Sequence, residues 1–308
     1  MSSVRLPKLL TVSVIIPAYQ AAETIARAIE SVLAQTYPVN EIIVIDDGST
    51  DELAAVLAPF GGRVKLLRQE HSGTAAARNR GLDEARSDLI AFLDAGDSWK
   101  CDKLGLNVEV LLQQPDVGLV ASRYLLQGAS GEQVRIAGPE LAWCDRPFRA
   151  AGPDLLTCAQ FTSTPTVMVR RKVVERERFD TTLRIAEDRD FWFRLLTATH
   201  GYFISSALTV VHVRSSSLTN ANLDLDCRCM LRVIERYGMH LGYWPARRER
   251  SLVHYKWAQG LPGGWSAVKH WFKSLWLWPL PFPYERTRNW PARPRALASI
   301  FRRWGKKA

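Results

Sequence analysis

The residues able to do chemistry in this 308-residue chain gather in three polar loops, each following an apolar run: Pro17-Ala18-Tyr19, Asp46-Asp47-Gly48-Ser49-Thr50 and Asp94-Ala95-Gly96-Asp97. Asp and Gly are common turn residues, so any one of these loops is explained by structure alone. Their coincidence after three apolar runs favours a site. Carboxylates collected in one place suit a divalent cation and the phosphates it bridges, because Mg²⁺ and Mn²⁺ take oxygen ligands and are usually completed by substrate oxygens. No GxGxxG follows the first apolar run and no Gly-Lys-Ser/Thr phosphate loop occurs, which removes the main support for a dinucleotide or ATP site. The cysteines (Cys101, Cys144, Cys158, Cys227, Cys229) show neither CxxC spacing nor a neighbouring histidine cluster, so reduced, mostly buried thiols are expected.

Positioning these loops falls to alternating elements. Residues 12–16 read as a β-branched strand buried on both faces and ended by Pro17. Ile25, Ala28, Ile29, Val32 and Leu33 recur at helical spacing before Tyr37-Pro38, and residues 42–45 restart a strand, completing a βαβ unit. Ser49 and Glu52 have the spacing of a capping box for the next helix. Strands are expected at 64–67 and 89–93, with a helix over 72–85 between them. Strands alternating with amphipathic helices imply an α/β fold, a mostly parallel central sheet flanked by helices. Ligands of such sheets bind beyond the carboxyl ends of the strands, which is where the three polar loops fall.

With their order and spacing, the runs Val-Ser-Val-Ile-Ile-Pro-Ala-Tyr (12–19), Ile-Asp-Asp-Gly-Ser-Thr-Asp (45–51), Gly-Thr-Ala-Ala-Ala-Arg-Asn-Arg-Gly (73–81) and Phe-Leu-Asp-Ala-Gly-Asp-Ser-Trp (92–99) resemble the family 2 glycosyltransferases of the A-type fold. A fifth block, Thr-Pro-Thr-Val-Met-Val-Arg-Arg (164–171) followed by Phe179-Asp180 and Glu187-Asp188-Arg189-Asp190-Phe191-Trp192, is similar to the acceptor half of that family. The resemblance covers residues 10–220 by motif order. It implies a single A-type catalytic domain over 1–222, with a nucleotide-binding half at 10–100 and an acceptor half at 101–222, followed by a helical extension at 223–308. It also implies a metal-assisted, inverting, non-processive transfer from a nucleoside-diphosphate sugar to a glycan or polyprenyl-linked glycan, in cell-surface polysaccharide or glycoconjugate biosynthesis.

Residue by residue, the resemblance places Pro17 and Tyr19 beside the nucleobase, Asp47 as acceptor for a base N–H, Arg78 at the pyrophosphate, and Asp94 at the ribose or metal. Glu23 either joins the nucleotide pocket or is a solvated first-turn acid. Gly96 stands where the family's Asp-x-Asp motif has its second carboxylate. Either Asp97 takes over as ligand of Mg²⁺ or Mn²⁺, or Asp94 and the substrate hold the metal alone. Asp188 is the implied general base that takes the proton of the attacking hydroxyl, with Glu187 and Trp192 in acceptor or support roles. His212 and Arg214 invert the order of the family's Arg-x-His-x-x-Ser; His212 is a candidate metal ligand and Arg214 a candidate for the leaving-group charge. The alternative to an enzyme is a nucleotide-sugar-binding protein that has lost catalysis, motivated by Gly96 and this inverted pair.

The net charge of +10 divides unevenly. Residues 245–308 carry 14 Lys/Arg against Glu249 and Glu285, a balance of +12, and hold seven of the 11 tryptophans. Residues 223–237 read as an amphipathic helix expected to pack on the catalytic domain. Trp257, Leu261, Trp265, Val268, Trp271, Phe272, Leu275 and Trp276 then follow at roughly helical spacing. Pro279, Pro281 and Pro283 forbid helix, and no run reaches the ~18 apolar residues of a spanning segment. Two readings stay open: a surface that docks on an anionic membrane, or a helical subdomain with core tryptophans. The absence of membrane spans and of Gln-x-x-Arg-Trp disfavours a processive synthase. Residues 1–10 lack the apolar core of a signal peptide, so a cytoplasmic location is expected, peripheral on the inner membrane face if the tail docks. Nucleic acid is not an expected partner, since the tail lacks a reading motif and the strand-end cleft is acidic.

Overall fold

Every residue of Val12–Ala18 is buried, as a strand covered on both faces demands. In the computed structural model, which describes residues 9–128, 134–213, 222–280 and 293–305, this strand is the centre of the first half-sheet. The chain runs β1 (Val12–Ala18), α1 (Ala22–Leu33), β2 (Glu41–Asp46), α2 (Leu53–Leu57), β3 (Lys65–Arg68), α3 (Thr74–Glu84) and β4 (Leu89–Phe92). β1 pairs in parallel with β2 and β4, and β2 with β3. The carboxyl ends of β1, β2 and β4 therefore lie along one edge. Ile25, Ala28, Ile29 and Val32 form the buried stripe of α1 against this sheet.

The second half is mixed. It comprises β5 (Ser98–Trp99), α4 (Lys103–Gln113), β6 (Val117–Gln127), β7 (Val134–Ala137), β8 (Pro147–Phe148), α5 (Pro153–Phe161), β9 (Met168–Arg170), α6 (Arg171–Val174), α7 (Glu187–Ala198) and β10 (His200–His212). The strand order is β3-β2-β1-β4-β9-β6-β10-β5, with β7 on β6 and β8 on β10. The short β9 runs antiparallel to both β4 and β6 and joins the halves, while the long β6–β10 ladder is parallel. Register shifts between Ile204 and Thr209 bend β10.

The chain forms two compact units, residues 1–150 with 154–215, and residues 151–153 with 216–308. The described helices of the second are α8 (Leu223–Arg236), α9 (Gly238–Leu241), α10 (Tyr243–Gly260), α11 (Trp265–Leu277) and α12 (Arg293–Gly305). α8 packs on α10 of its own unit, where Lys256 Nζ meets the buried Asp226 carboxylate at 2.6 Å. The aromatic pattern that runs from Trp257 to Trp276 is two helices: Pro262 and Gly264, the latter at φ +88, break it. Tyr255, Ala258, Ala267, Val268, Trp271, Ala296 and Ile300 form the core of this unit. Trp257 and Trp271 are buried, whereas Trp244, Trp265 and Trp276 are exposed, so the tail supplies both core and surface indoles. No described helix is long and apolar enough to cross a membrane.

Candidate functional site

Beyond the end of β2 two adjacent aspartates divide their work. The carboxylate of buried Asp46 accepts from the Ser49 N–H at 2.8 Å and lies 3.6 Å from the Arg68 guanidinium, closing the turn. The Asp47 carboxylate, also buried, accepts from Gln69 Nε2 (2.7 Å), Ser72 N (2.9 Å) and Gly73 N (2.8 Å). His71 Nδ1 sits 2.9 Å from Asp47 Oδ2, and its ring stacks on Tyr19 with centroids 4.2 Å apart. Gly48 permits the close approach of the His71 backbone: at φ +79 it tolerates the turn, and a Cβ there would meet the His71 main-chain nitrogen at 2.9 Å. The capping box does not form. The Ser49 hydroxyl instead accepts from the Gln20 N–H at 3.1 Å, and Asp51 accepts from the Ala22 N–H at 2.8 Å, tying the loops after β1 and β2 together and serving the start of α1.

A second cluster joins α3, the loop after β4 and the start of α7. Arg78 is buried, donating from Nη2 to Asp94 Oδ1 and from Nη1 to Glu187 Oε1, both at 2.9 Å. Its Cζ lies 5.4 Å from the Phe179 ring centroid. Burial alone would lower the Arg78 pKa, but the carboxylates of Asp94, Glu187 and Asp188 outweigh it and raise it, so this guanidinium is held charged. Burial, then the neighbouring Asp188 charge, push the Glu187 carboxyl up to about 7 against the opposing pull of Arg78. Asp188 Oδ1 accepts from the Arg189 N–H at 2.8 Å, and Thr164 Oγ1 lies 3.4 Å from Asp188 Oδ2. Thr164 Oγ1 in turn accepts from Trp192 Nε1 at 3.3 Å. Trp192 is fully buried between Phe92, Phe179 and Phe191.

The remaining expected residues are placed differently. Pro17 lies in β1, beside Ile45 in the ladder. Glu23 is exposed on the first turn of α1 and does not join either cluster. Asp97 is buried, and its Oδ1 accepts from the main-chain N–H of His212 at 3.1 Å, so it ties the loop after β4 to the end of β10. The carbonyl of Gly96 accepts from Arg27 at 2.7 Å. Arg214 lies outside the described residues. His71 was not expected; its signal was topological, since the β3–α3 loop must return to the same sheet edge. Among the described residues no three His, Cys, Asp or Glu side chains group as a metal cage. Asp94, 39% exposed at its side chain, fits a cation shared with substrate phosphates, which needs only one or two protein carboxylates.

Two clusters of polar and acidic side chains thus meet the carboxyl ends of β1, β2 and β4, on a mixed α/β sheet of the A-type glycosyltransferase fold. The sequence profile of Glycosyl transferase family 2 matches residues 13–178, and the chain belongs to that family of glycosyltransferases. Among its relatives is the Escherichia coli UDP-Glc:alpha-D-GlcNAc-diphosphoundecaprenol beta-1,3-glucosyltransferase WfgD, 42% identical over 148 residues that span 47% of this chain and 58% of that protein. The amylovoran biosynthesis glycosyltransferase AmsB of Erwinia amylovora is 31% identical over 194 residues, 59% of this chain and 62% of that one. The fold is shared with Staphylococcus aureus TarS 1–349 in complex with UDP-GlcNAc (TM-score 0.63, 16% identity, 85% of this chain and 81% of that chain). It is shared too with the mannosyltransferase PcManGT of Pyrobaculum calidifontis in complex with GDP-Man and Mn²⁺ (TM-score 0.59, 18% identity, 85% and 74%).

Proposed function

We propose that the chain transfers one sugar, with inversion at the anomeric carbon, from a nucleoside-diphosphate sugar to a hydroxyl of a glycan or polyprenyl-linked glycan during cell-surface polysaccharide synthesis. The observation that carries this reading is the continuous line Asp94–Arg78–Glu187, with Asp188 next to it, at the same sheet edge as Asp47 and Tyr19. Tyr19 and Pro17 flank the nucleobase, and Asp47, held in place by Gln69, Ser72 and Gly73, accepts from its N–H. Arg78, its charge held by carboxylates, fixes Asp94 toward the diphosphate and Glu187 beside Asp188. Asp188, oriented by Thr164 and the Arg189 N–H, takes the proton of the attacking hydroxyl. Mg²⁺ or Mn²⁺, held by Asp94 and substrate oxygens with Asp97 or His212 as further candidate ligands, would supply charge stabilisation for the departing diphosphate. The names of WfgD and AmsB support the lipid-linked acceptor and polysaccharide context. A cytoplasmic enzyme meeting such an acceptor would work at the inner membrane face, in keeping with the basic tail. The test is release of nucleoside diphosphate from UDP-, GDP-, dTDP- and CDP-sugars, with and without Mn²⁺, in the presence of a polyprenyl-diphosphate-linked sugar. Acceptor-dependent release from one donor is expected; donor binding without any transfer would favour the binding-protein alternative.

A further inference from the structure

Exposed aromatic residues of the second unit line one side of α11. Trp265, Lys269, Phe272, Lys273 and Trp276 recur at i, i+4, i+7, i+8 and i+11, a single stripe of a helix. Trp265, Phe272 and Trp276 are 76%, 56% and 72% exposed, and the two lysines between them are exposed as well. The other side, Ala267, Val268, Trp271 and Ser274, is buried. α11 is thus apolar on two sides, one in the core and one facing solvent, a pattern that marks a surface built to meet something.

Arg247 of α10 extends the stripe and is tied to the end of α11. Its Nε donates to the Leu277 carbonyl at 2.6 Å and its Nη2 to the Trp276 carbonyl at 2.9 Å, satisfying the end of α11, while Nη1 donates to the Tyr243 hydroxyl at 3.0 Å. The same guanidinium lies 5.2 Å from the Trp276 ring centroid and 5.9 Å from that of Trp244. Exposed Tyr243 and Trp244 are thereby held in one patch with Trp276. Glu249 is the only acid between residues 243 and 280, and it is buried. Within residues 243–280 the patch therefore presents indoles, a phenyl ring and cations, and the one acid of that stretch is not exposed.

We infer that this face of α11, with Tyr243, Trp244 and Arg247, is a docking surface for an anionic lipid bilayer. The choice of occupant follows from charge and ring type together. Indoles favour the headgroup region, and lysines gain from anionic phosphates there, whereas an apolar protein partner would bury Lys269 and Lys273 without counter-charge. The inference deepens the membrane reading above and does not depend on which sugar is transferred.

The full chain should float with vesicles of phosphatidylcholine containing about 30% phosphatidylglycerol, and much less with phosphatidylcholine alone or in high salt. The triple variant Trp265→Ser, Phe272→Ser, Trp276→Ser should lose about tenfold or more in partitioning. Lys269→Gln with Lys273→Gln should lose several-fold at low salt. Both variants should keep the thermal unfolding profile and donor-induced stabilisation of the parent, which separates failure here from failure of the transferase reading. Equal flotation of parent and triple variant, no flotation of the parent, or equal binding to neutral vesicles would overturn the inference. So would a self-associating parent that the triple variant makes monomeric with no vesicle binding by either, since the occupant would then be a second copy of the chain.

Discussion

Replacing Glu187 by Gln should change the pH dependence of stability more than its level. In the folded chain the Glu187 carboxyl titrates at about 7 instead of 4.5, because burial and the adjacent Asp188 disfavour its charge. Between those values the unfolded chain releases the proton and the folded chain keeps it. Stability from this group is therefore complete below about 4.5 and declines as pH rises to about 7. At about 1.4 kcal/mol per pH unit, the decline amounts to about 3 kcal/mol. Glutamine keeps an oxygen to accept from Arg78 but has no proton to release. The stability of Glu187→Gln relative to the parent should therefore rise by about 2 kcal/mol from pH 5 to pH 7.5 and level off above about pH 8, whatever constant offset the lost ion pair adds. Thermal unfolding in matched buffers reads this as several degrees, at roughly 2–4 °C per kcal/mol. Parallel pH profiles for the two proteins would refute the reasoning, since Glu187 would then titrate alike in both states.

Arg78→Met would leave Asp94 and Glu187 without their shared cation; a loss of about 3–5 kcal/mol in denaturant unfolding is expected at pH 8, and less at pH 6, where Glu187 can take up a proton. Asp47→Ala removes the acceptor for Gln69, Ser72 and Gly73, and calorimetry should show nucleotide binding weakened by about 1.5–3 kcal/mol. His254, stacked on Trp257 and 2.9 Å from His270, is pushed down to about 4 by burial and then by Lys273 and His270. Its contribution to the second unit is full above pH 6.5 and lost as pH falls through 4, so His254→Asn should flatten the acid side of that unit's unfolding profile.

The parallel half of the fold was legible because β1 and β2 are short buried apolar runs and α1 keeps a helical period between them, with changes at Pro17 and Tyr37-Pro38. The mixed half was not. β5 and β8 have two residues each and β9 has three, too few to show alternation, and their pairing is fixed by partners far along the chain. Asp47, Asp94 and the Glu187-Asp188 pair stood out as acids at element ends. Arg78 stood out in the motif of α3, but its bridge between Asp94 and Glu187 did not, because one of these partners is 109 positions away. The place of His71 was not legible, since it depends on Tyr19, which only the folded sheet brings near. Ser49 and Glu52 had the right spacing for a capping box, yet the Gln20 N–H took the hydroxyl.

The central claim is that Asp188 accepts the proton of the attacking hydroxyl. Its direct test is single-turnover transfer by Asp188→Asn beside donor binding by calorimetry. With Asp188 as base, the transfer rate should fall by about 10²–10⁴ while donor affinity stays within a few-fold of the parent. Unchanged transfer, or loss of transfer only in proportion to lost donor binding, would contradict it.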